Sequence, residues 1–166
     1  FRNRLMFPII AVRGNCDAEV DQMVLDFPLM NTYEMIEADG LKMFATHGHV
    51  YSPGNPPPFV EFDVLLNGHT HISALDNMGD YYYINPGSVS IPKGGTTNSF
   101  IIYENREFSL RDLETCDEID NIVLFYYEDR EGRAERKDRA VIADYLFNTI
   151  FHKNPLSSLK LQIKKP

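Results

Sequence analysis

The sequence lacks the features that mark several large classes of protein. It contains no tryptophan and only two cysteines, Cys16 and Cys116. Two cysteines so far apart exclude a disulfide framework and a zinc ribbon, and they suit a reducing compartment. No apolar run reaches the roughly 20 residues that a membrane-spanning helix requires, and the first residues show no signal-peptide pattern. We therefore expect a cytoplasmic protein built around one globular core.

Positive charge is scarce in the first part of the chain. Residues 1–115 carry 7 Lys and Arg against 15 Asp and Glu, a net charge of −8, whereas residues 116–166 carry 9 of each. Duplex affinity depends on cations that neutralise phosphates, so an acidic body disfavours nucleic-acid binding. The same acidic body is compatible with a cation site.

Apolar runs separated by turn residues predict an α/β protein in which strands outnumber helices. Strands are expected at residues 9–12 and at Val64–Leu66, and a helix is expected at residues 18–27, before Pro28. Three hairpins are expected to turn at Asp39-Gly40, at Met78-Gly79-Asp80 and at Glu104-Asn105.

The remaining segments are less regular. The proline-rich stretch YSPGNPPP at residues 51–58 is typical of a functional or rim-forming loop. Towards the end of the chain, residues 121–127 predict one more strand and residues 134–153 predict a helix with a wide apolar face. Such a helix has to pack either on its own domain or on a partner.

Four groups of polar residues each follow a predicted strand. In open α/β sheets, ligands bind beyond the carboxyl ends of the strands, so residues from separate loops converge there. The four groups are Gly14-Asn15-Cys16-Asp17, Thr46-His47-Gly48-His49, Gly68-His69-Thr70-His71 and Asn85-Pro86-Gly87-Ser88.

Histidine is concentrated in two of these groups, which hold four of the five histidines of the chain. A neutral imidazole offers one lone pair to a divalent cation, and an asparagine oxygen is a harder donor that suits Mn, Mg or Fe(II). If the backbone is extended, His69 and His71 point the same way and reach two adjacent ions. A metal site therefore accounts for the pattern better than unrelated structural histidines do. His152 has no such neighbours, and Cys16 lacks the second thiol of a soft metal site.

The segments IIAVRGNCDAEVDQM, FATHGH, VLLNGHTH and INPGSVSIPKGG, in that order, resemble the small YfcE-type phosphodiesterases of the calcineurin-like metallophosphoesterase superfamily. The resemblance runs from about Ile9 to about Asp112. It implies an α/β/β/α sandwich with two divalent metal ions, commonly Mn, with Fe, Zn or Ni as alternatives. By position, it implies that Asn15, His47 and His69 bind one ion and that His71 binds the other.

The sequence departs from the family pattern in three places. Cys16 stands where many members have a histidine. The Asp-x-His motif that opens the family domain is absent from the sequence, and we find no counterpart of the strand that ends in Gly-Asp; together these supply the bridging carboxylate in the family. We therefore expect a metallophosphoesterase domain truncated at its N-terminus over residues 1–115. Residues 116–166 are expected to form a C-terminal extension with an extra strand and helix.

The resemblance implies hydrolysis of a small phosphodiester, such as the artificial bis(p-nitrophenyl) phosphate. His49 and Arg13 flank the implied ligands, and we expect them to orient the phosphate or to protonate the leaving group. The alternative function is a noncatalytic scaffold on the same fold, like the small retromer subunit. The strand edge left by the missing motifs also predicts association, so a homo-oligomer is expected.

Overall fold

The computed structural model describes residues 7–124 and the backbone of residues 126–128 and 134–136. The chain divides into two compact units, Phe1–Leu124 and Phe125–Pro166. The boundary that the sequence predicts near residue 115 stays a prediction, although residues 118–123 are part of a sheet in the first unit.

The larger sheet has five strands in the order β1-β2-β3-β5-β4. Strands β2, β3 and β5 run parallel to one another, and β1 and β4 are antiparallel edges. The strands are β1 (Tyr33–Ala38), β2 (Leu41–Thr46), β3 (Val64–Leu66), β4 (Ser73–Asn77) and β5 (Tyr82–Pro86). The two hairpins predicted in this part of the sequence are therefore confirmed.

The turn of the first hairpin shows why its position is readable from the sequence. Asp39 and Gly40 both have positive φ, 52° and 75°. A two-residue turn with this backbone matches the twist of the flanking strands, and Asp-Gly is among the pairs that adopt it most easily. Gly79, at the turn of the second hairpin, has a φ of 89°.

The smaller sheet is antiparallel, in the order β6-β7-β8, with β6 at Ser99–Glu104, β7 at Glu107–Asp112 and β8 at Glu118–Val123. Its first hairpin turns at Asn105 and Arg106, one residue later than predicted. The two sheets contact each other through β5 with β6 and through β4 with β8. These are the two β layers expected of the metallophosphoesterase sandwich.

The core of the larger sheet lies on its three parallel strands. Phe44, Leu65 and Tyr83 are neighbours across β2, β3 and β5, and all three side chains are buried. The proline-rich loop packs on this cluster through Tyr51, which makes an edge contact with Phe44 at 5.6 Å between ring centroids. Phe62, just after the loop, packs on the same cluster. The loop is therefore anchored to the sheet by aromatic contacts.

The one α-helix among the described residues, α1 (Glu19–Val24), is shorter than the helix predicted over residues 18–27. Leu25 is already extended. The side chain of Gln22 accounts for the early end, because its amide donates to the carbonyl of Phe27 at 3.0 Å and accepts from the backbone N–H of Leu29 at 2.7 Å. These bonds stabilise a turn in place of further helix.

The strand predicted at residues 9–12 is wrong, because these residues pair with no other strand of the described chain. An apolar run reports burial, whereas a strand also needs a hydrogen-bonding neighbour. Val12 is half-buried and Ile10 is exposed.

In the second unit, the structure describes two antiparallel strands, β9 (Tyr126–Glu128) and β10 (Ala134–Arg136). The strand predicted over residues 121–127 is thus divided between β8 and β9. The helix predicted from residue 134 does not begin there, since residues 134–136 are strand, and its remainder lies outside the described residues. Within the described ranges, no helix is both long and apolar enough to cross a membrane.

Candidate metal centre

Three parallel strands end at one edge of the larger sheet, and the candidate residues follow them. His47 comes directly after β2, and Gly68 and His69 follow β3. The backbone N–H of Gly68 donates to the carbonyl of His47 at 2.9 Å, which joins the two loops. Loops that share this edge of the sheet converge, as the sequence predicts.

Asn15, His47 and His69 form a continuous cluster of donor atoms. The Oδ1 atom of Asn15 lies 2.9 Å from Nε2 of His47, and the same Nε2 lies 3.2 Å from Nδ1 of His69. The structure therefore brings together, from three separate loops, the three residues that the resemblance implies for one ion.

A tight turn presents Asn15 to the histidines. The Asp17 carboxylate accepts from the backbone N–H of Gly14 at 2.6 Å, and the Asp17 N–H donates to the carbonyl of Gly14 at 3.3 Å. The backbone N–H of Arg13 is held by the carbonyl of Asn31 at 2.8 Å. Asn15 and Cys16 are exposed at the tip of this turn.

Gly48 allows the loop after β2 to approach the loop after β3. Its φ of 116° is one that side-chain-bearing residues rarely adopt, and a Cβ added there would lie 3.1 Å from Cβ of His69 and 3.3 Å from the Gly68 carbonyl. The absence of a side chain at this position is thus what permits the spacing of His47 and His69.

The surroundings of His47 lower its pKa from the ordinary value. Burial is the largest cause, and the charges of His69 and His49 act in the same direction, whereas Asp17 raises the pKa. A lowered pKa favours the neutral imidazole, which is the form that offers a lone pair to a cation.

The ring of His71 is oriented by a hydrogen bond to a residue outside the cluster. Its Nδ1 lies 2.8 Å from the carbonyl of Ile91. A carbonyl only accepts, so Nδ1 must carry the hydrogen and Nε2 keeps its lone pair. The extended backbone predicted for His69 and His71 is wrong, because both have positive φ, 65° and 63°. The two side chains are therefore directed by a strained loop and not by strand alternation.

The two residues predicted to assist catalysis occupy different settings. The ring of His49 is exposed and lies 5.2 Å from the His47 ring and 6.2 Å from the His69 ring, measured between centroids. Arg13 is half-buried, and its Nε donates to the carbonyl of Asp17 at 3.4 Å. Their catalytic roles stay predictions.

The cluster suits a divalent ion by its donor chemistry. Ligands about 2.1 Å from one octahedral ion, at right angles to each other, stand about 3.0 Å apart. The separations of 2.9 Å and 3.2 Å in the cluster match this value. Within the described residues, no group of three or more His, Cys, Asp or Glu side chains is arranged as a metal site. The candidate cluster consists of two imidazoles and the amide oxygen of Asn15.

Sequence reasoning missed two residues that support the site. Asp17 closes the Asn15 turn and acts on the pKa of His47. Asn85 is fully buried beneath the histidine loop, where its amide donates to the Gly68 carbonyl. Both stand inside the quoted motifs, but a polar residue in a loop motif gives no sign of which atoms it contacts.

The fold and the arrangement of the cluster agree with a family match. Residues 2–107 match the Calcineurin-like phosphoesterase superfamily domain, and the chain belongs to this family. The resemblance noted in the sequence is confirmed.

Individual members of this family are similar to the chain in sequence and in structure. The chain is 44% identical over 108 residues to the phosphodiesterase YfcE of Escherichia coli, covering 65% of this chain and 59% of that protein. The solved structure of this E. coli phosphoesterase matches with a TM-score of 0.65 and 42% identity, over 69% of this chain and 63% of that one. The probable metallophosphoesterase YsnB of Bacillus subtilis is 28% identical over 108 residues, covering 61% of this chain and 59% of that protein. The chain thus spans about three fifths of the length of these curated relatives.

Proposed function

We propose that this protein is a metal-dependent phosphodiesterase that acts on small phosphodiesters. The observation that carries the proposal is the contiguous set of donors Asn15 Oδ1, His47 Nε2 and His69 Nδ1 at the carboxyl edge of the parallel strands. The similarity of the chain to a phosphodiesterase of E. coli supports the same reaction.

In this proposal, Asn15, His47 and His69 hold one divalent ion and His71 contributes to a second, with Mn favoured by the hard amide oxygen. Such a pair of ions, when bound, lowers the pKa of a coordinated water and neutralises the phosphoryl oxygens. Burial lowers the pKa of His47, which favours the neutral ring that a metal ligand requires. His49 is exposed beside the cluster and is assigned to phosphate orientation or to leaving-group protonation. Arg13 is assigned to binding the phosphate.

The test is hydrolysis of bis(p-nitrophenyl) phosphate by Mn-loaded protein, followed by release of nitrophenolate. His49→Ala is expected to lower kcat by about 10²- to 10⁴-fold, the range for a general acid or base, with Mn content unchanged. Val50→Ala, the neighbouring exposed position, is the control and should retain activity. Full activity of His49→Ala would contradict the role of His49, and absence of hydrolysis by the Mn-loaded wild type would contradict the proposed reaction.

The noncatalytic scaffold is the second candidate function, and one feature favours it. The apolar side chains Val20, Met23 and Val24 of α1 are 60%, 83% and 66% exposed. An apolar helix face of this kind marks an interaction surface. A scaffold requires no metal, so absence of Mn binding together with retained folding would favour this candidate.

We also propose that copies of the chain associate. The larger sheet ends in the edge strands β1 and β4, and edge strands are templates for pairing. Light scattering at increasing concentration checks this, and a constant monomer mass would contradict it.

A further inference from the structure

Asn85 is a buried carboxamide whose two ends contact two different loops. Its side chain has no exposed surface. The Nδ2 atom lies 3.0 Å from each of three acceptors, the Gly68 carbonyl, Oγ1 of Thr70 and the hydroxyl of Tyr83. Its Oδ1 accepts from the backbone N–H of Gly87 at 3.0 Å. The carbonyl of Gly68 can only accept and the N–H of Gly87 can only donate, so the orientation of the amide is determined.

The loop that Asn85 contacts is strained. His69 and His71 both have left-handed φ values, and the N–H of Thr70 between them donates to the carbonyl of Gly68 at 2.7 Å. Residues other than glycine hold such a conformation only where surrounding contacts impose it. The bonds from Asn85 to Gly68 and Thr70 are contacts of this kind.

The second loop returns to His71 from the other side. It begins at Gly87, which is bonded to Asn85, and it reaches Ile91, whose carbonyl accepts from the ring of His71. The backbone N–H of Lys93 donates to the carbonyl of His71 at 2.9 Å. One carboxamide therefore joins the loop that carries both histidines to the loop that orients the second of them.

We propose that Asn85 is a positioning residue that holds His69 and His71 in their metal-binding arrangement; the inference rests on the proposed metal role of these histidines. Asn85 acts through the loops and does not touch the ion. The amide has two hydrogens for three acceptors at equal distance. Removal of the Tyr83 hydroxyl therefore still leaves one hydrogen each for Gly68 and Thr70 in the loop.

The experiment compares four variants by isothermal titration with Mn²⁺. Asn85→Asp removes the donors and is expected to weaken binding by about 10- to 100-fold, the range for groups that orient metal ligands. Thr70→Val removes one acceptor of Asn85, together with the contacts of the hydroxyl with the backbone of Ile72, and should weaken binding in the same direction. Thr70→Ser keeps the hydroxyl and should keep the wild-type affinity. Tyr83→Phe is the matched control, and its Mn affinity should stay within about twofold of wild type, since the two hydrogens of Asn85 keep two acceptors.

A second readout uses the metal-free protein. Long-range ¹⁵N–¹H NMR spectra report which ring nitrogen of His71 carries the hydrogen, and we expect Nδ1–H in wild type and in Tyr83→Phe but a mixture in Asn85→Asp and Thr70→Val. Unchanged His71 spectra together with unchanged Mn affinity in Asn85→Asp and Thr70→Val would overturn the inference. If wild type binds no Mn²⁺, the proposed function fails, and the NMR spectra alone decide whether Asn85 positions His71.

Discussion

Replacement of Gly48 by alanine tests whether the proposed metal centre depends on the close approach of two loops. The φ of 116° at Gly48 is strained for alanine, at a cost of about 1–3 kcal/mol of folding free energy. In addition, the new Cβ would lie 3.1 Å from Cβ of His69, closer than the 3.4 Å at which ordinary contacts begin. His69 must therefore move by a few tenths of an ångström. We expect Gly48→Ala to weaken Mn²⁺ binding about tenfold, the lower end of the effect of disturbing the support of a ligand.

Gly79 offers a matched control. Its φ of 89° imposes a comparable strain, but nothing lies within 4 Å of an added Cβ. Gly79→Ala should therefore lose stability in urea unfolding by a similar amount while its Mn²⁺ affinity stays unchanged. The Mn²⁺ affinities of the two variants are compared by isothermal titration. Equal affinities for Gly48→Ala and Gly79→Ala would refute the claim that the spacing of His47 and His69 depends on this glycine.

Two further predictions concern stability. Burial and the 2.8 Å hydrogen bond to Asp39 raise the pKa of Tyr103 to about 12. The contribution of Tyr103 to the free energy of unfolding is therefore complete below the pKa of an unfolded tyrosine, about 10, and is lost between about pH 10 and 12. Urea unfolding across this range should show a decline that Tyr103→Phe lacks, and equal declines would contradict the assignment. Phe44 is completely buried, so Phe44→Ala should cost about 3–5 kcal/mol in urea unfolding. Phe59→Ala, at a side chain 53% exposed, should cost much less, and equal losses would place the core elsewhere.

The hairpins were predictable because their signals are local. Asp39-Gly40 and Met78-Gly79-Asp80 carry the turn conformation in their own residues, and the alternating strands beside them follow. The absence of a strand at residues 9–12 could not be predicted in this way, because a strand forms only where a neighbouring strand is available for pairing. The early end of α1 likewise depends on contacts of Gln22 that no periodicity reveals.

The candidate site was predictable as a set of residues but not as a geometry. His47 and His69 follow separate parallel strands, so their convergence could be expected. Asn15 was included because a strand was predicted before it, and it reaches the cluster from a segment that the structure leaves unpaired. The left-handed backbone of His69 and His71 was missed, because the contacts of their loop come from Asn85 and Ile91, which lie far along the sequence. Tertiary contacts of this kind override the local preference for extended backbone after a strand.

The most direct test of the central claim is the Mn²⁺ stoichiometry of wild type and His69→Ala after dialysis, measured by plasma mass spectrometry. His69 supplies Nδ1 at 3.2 Å from His47, so its loss removes one of three clustered donors. We predict stoichiometric Mn²⁺ in wild type and loss of the bound ion in His69→Ala, with urea unfolding of the metal-free proteins showing similar stability. Equal Mn²⁺ content in the two proteins would contradict the assignment of this cluster as a metal centre.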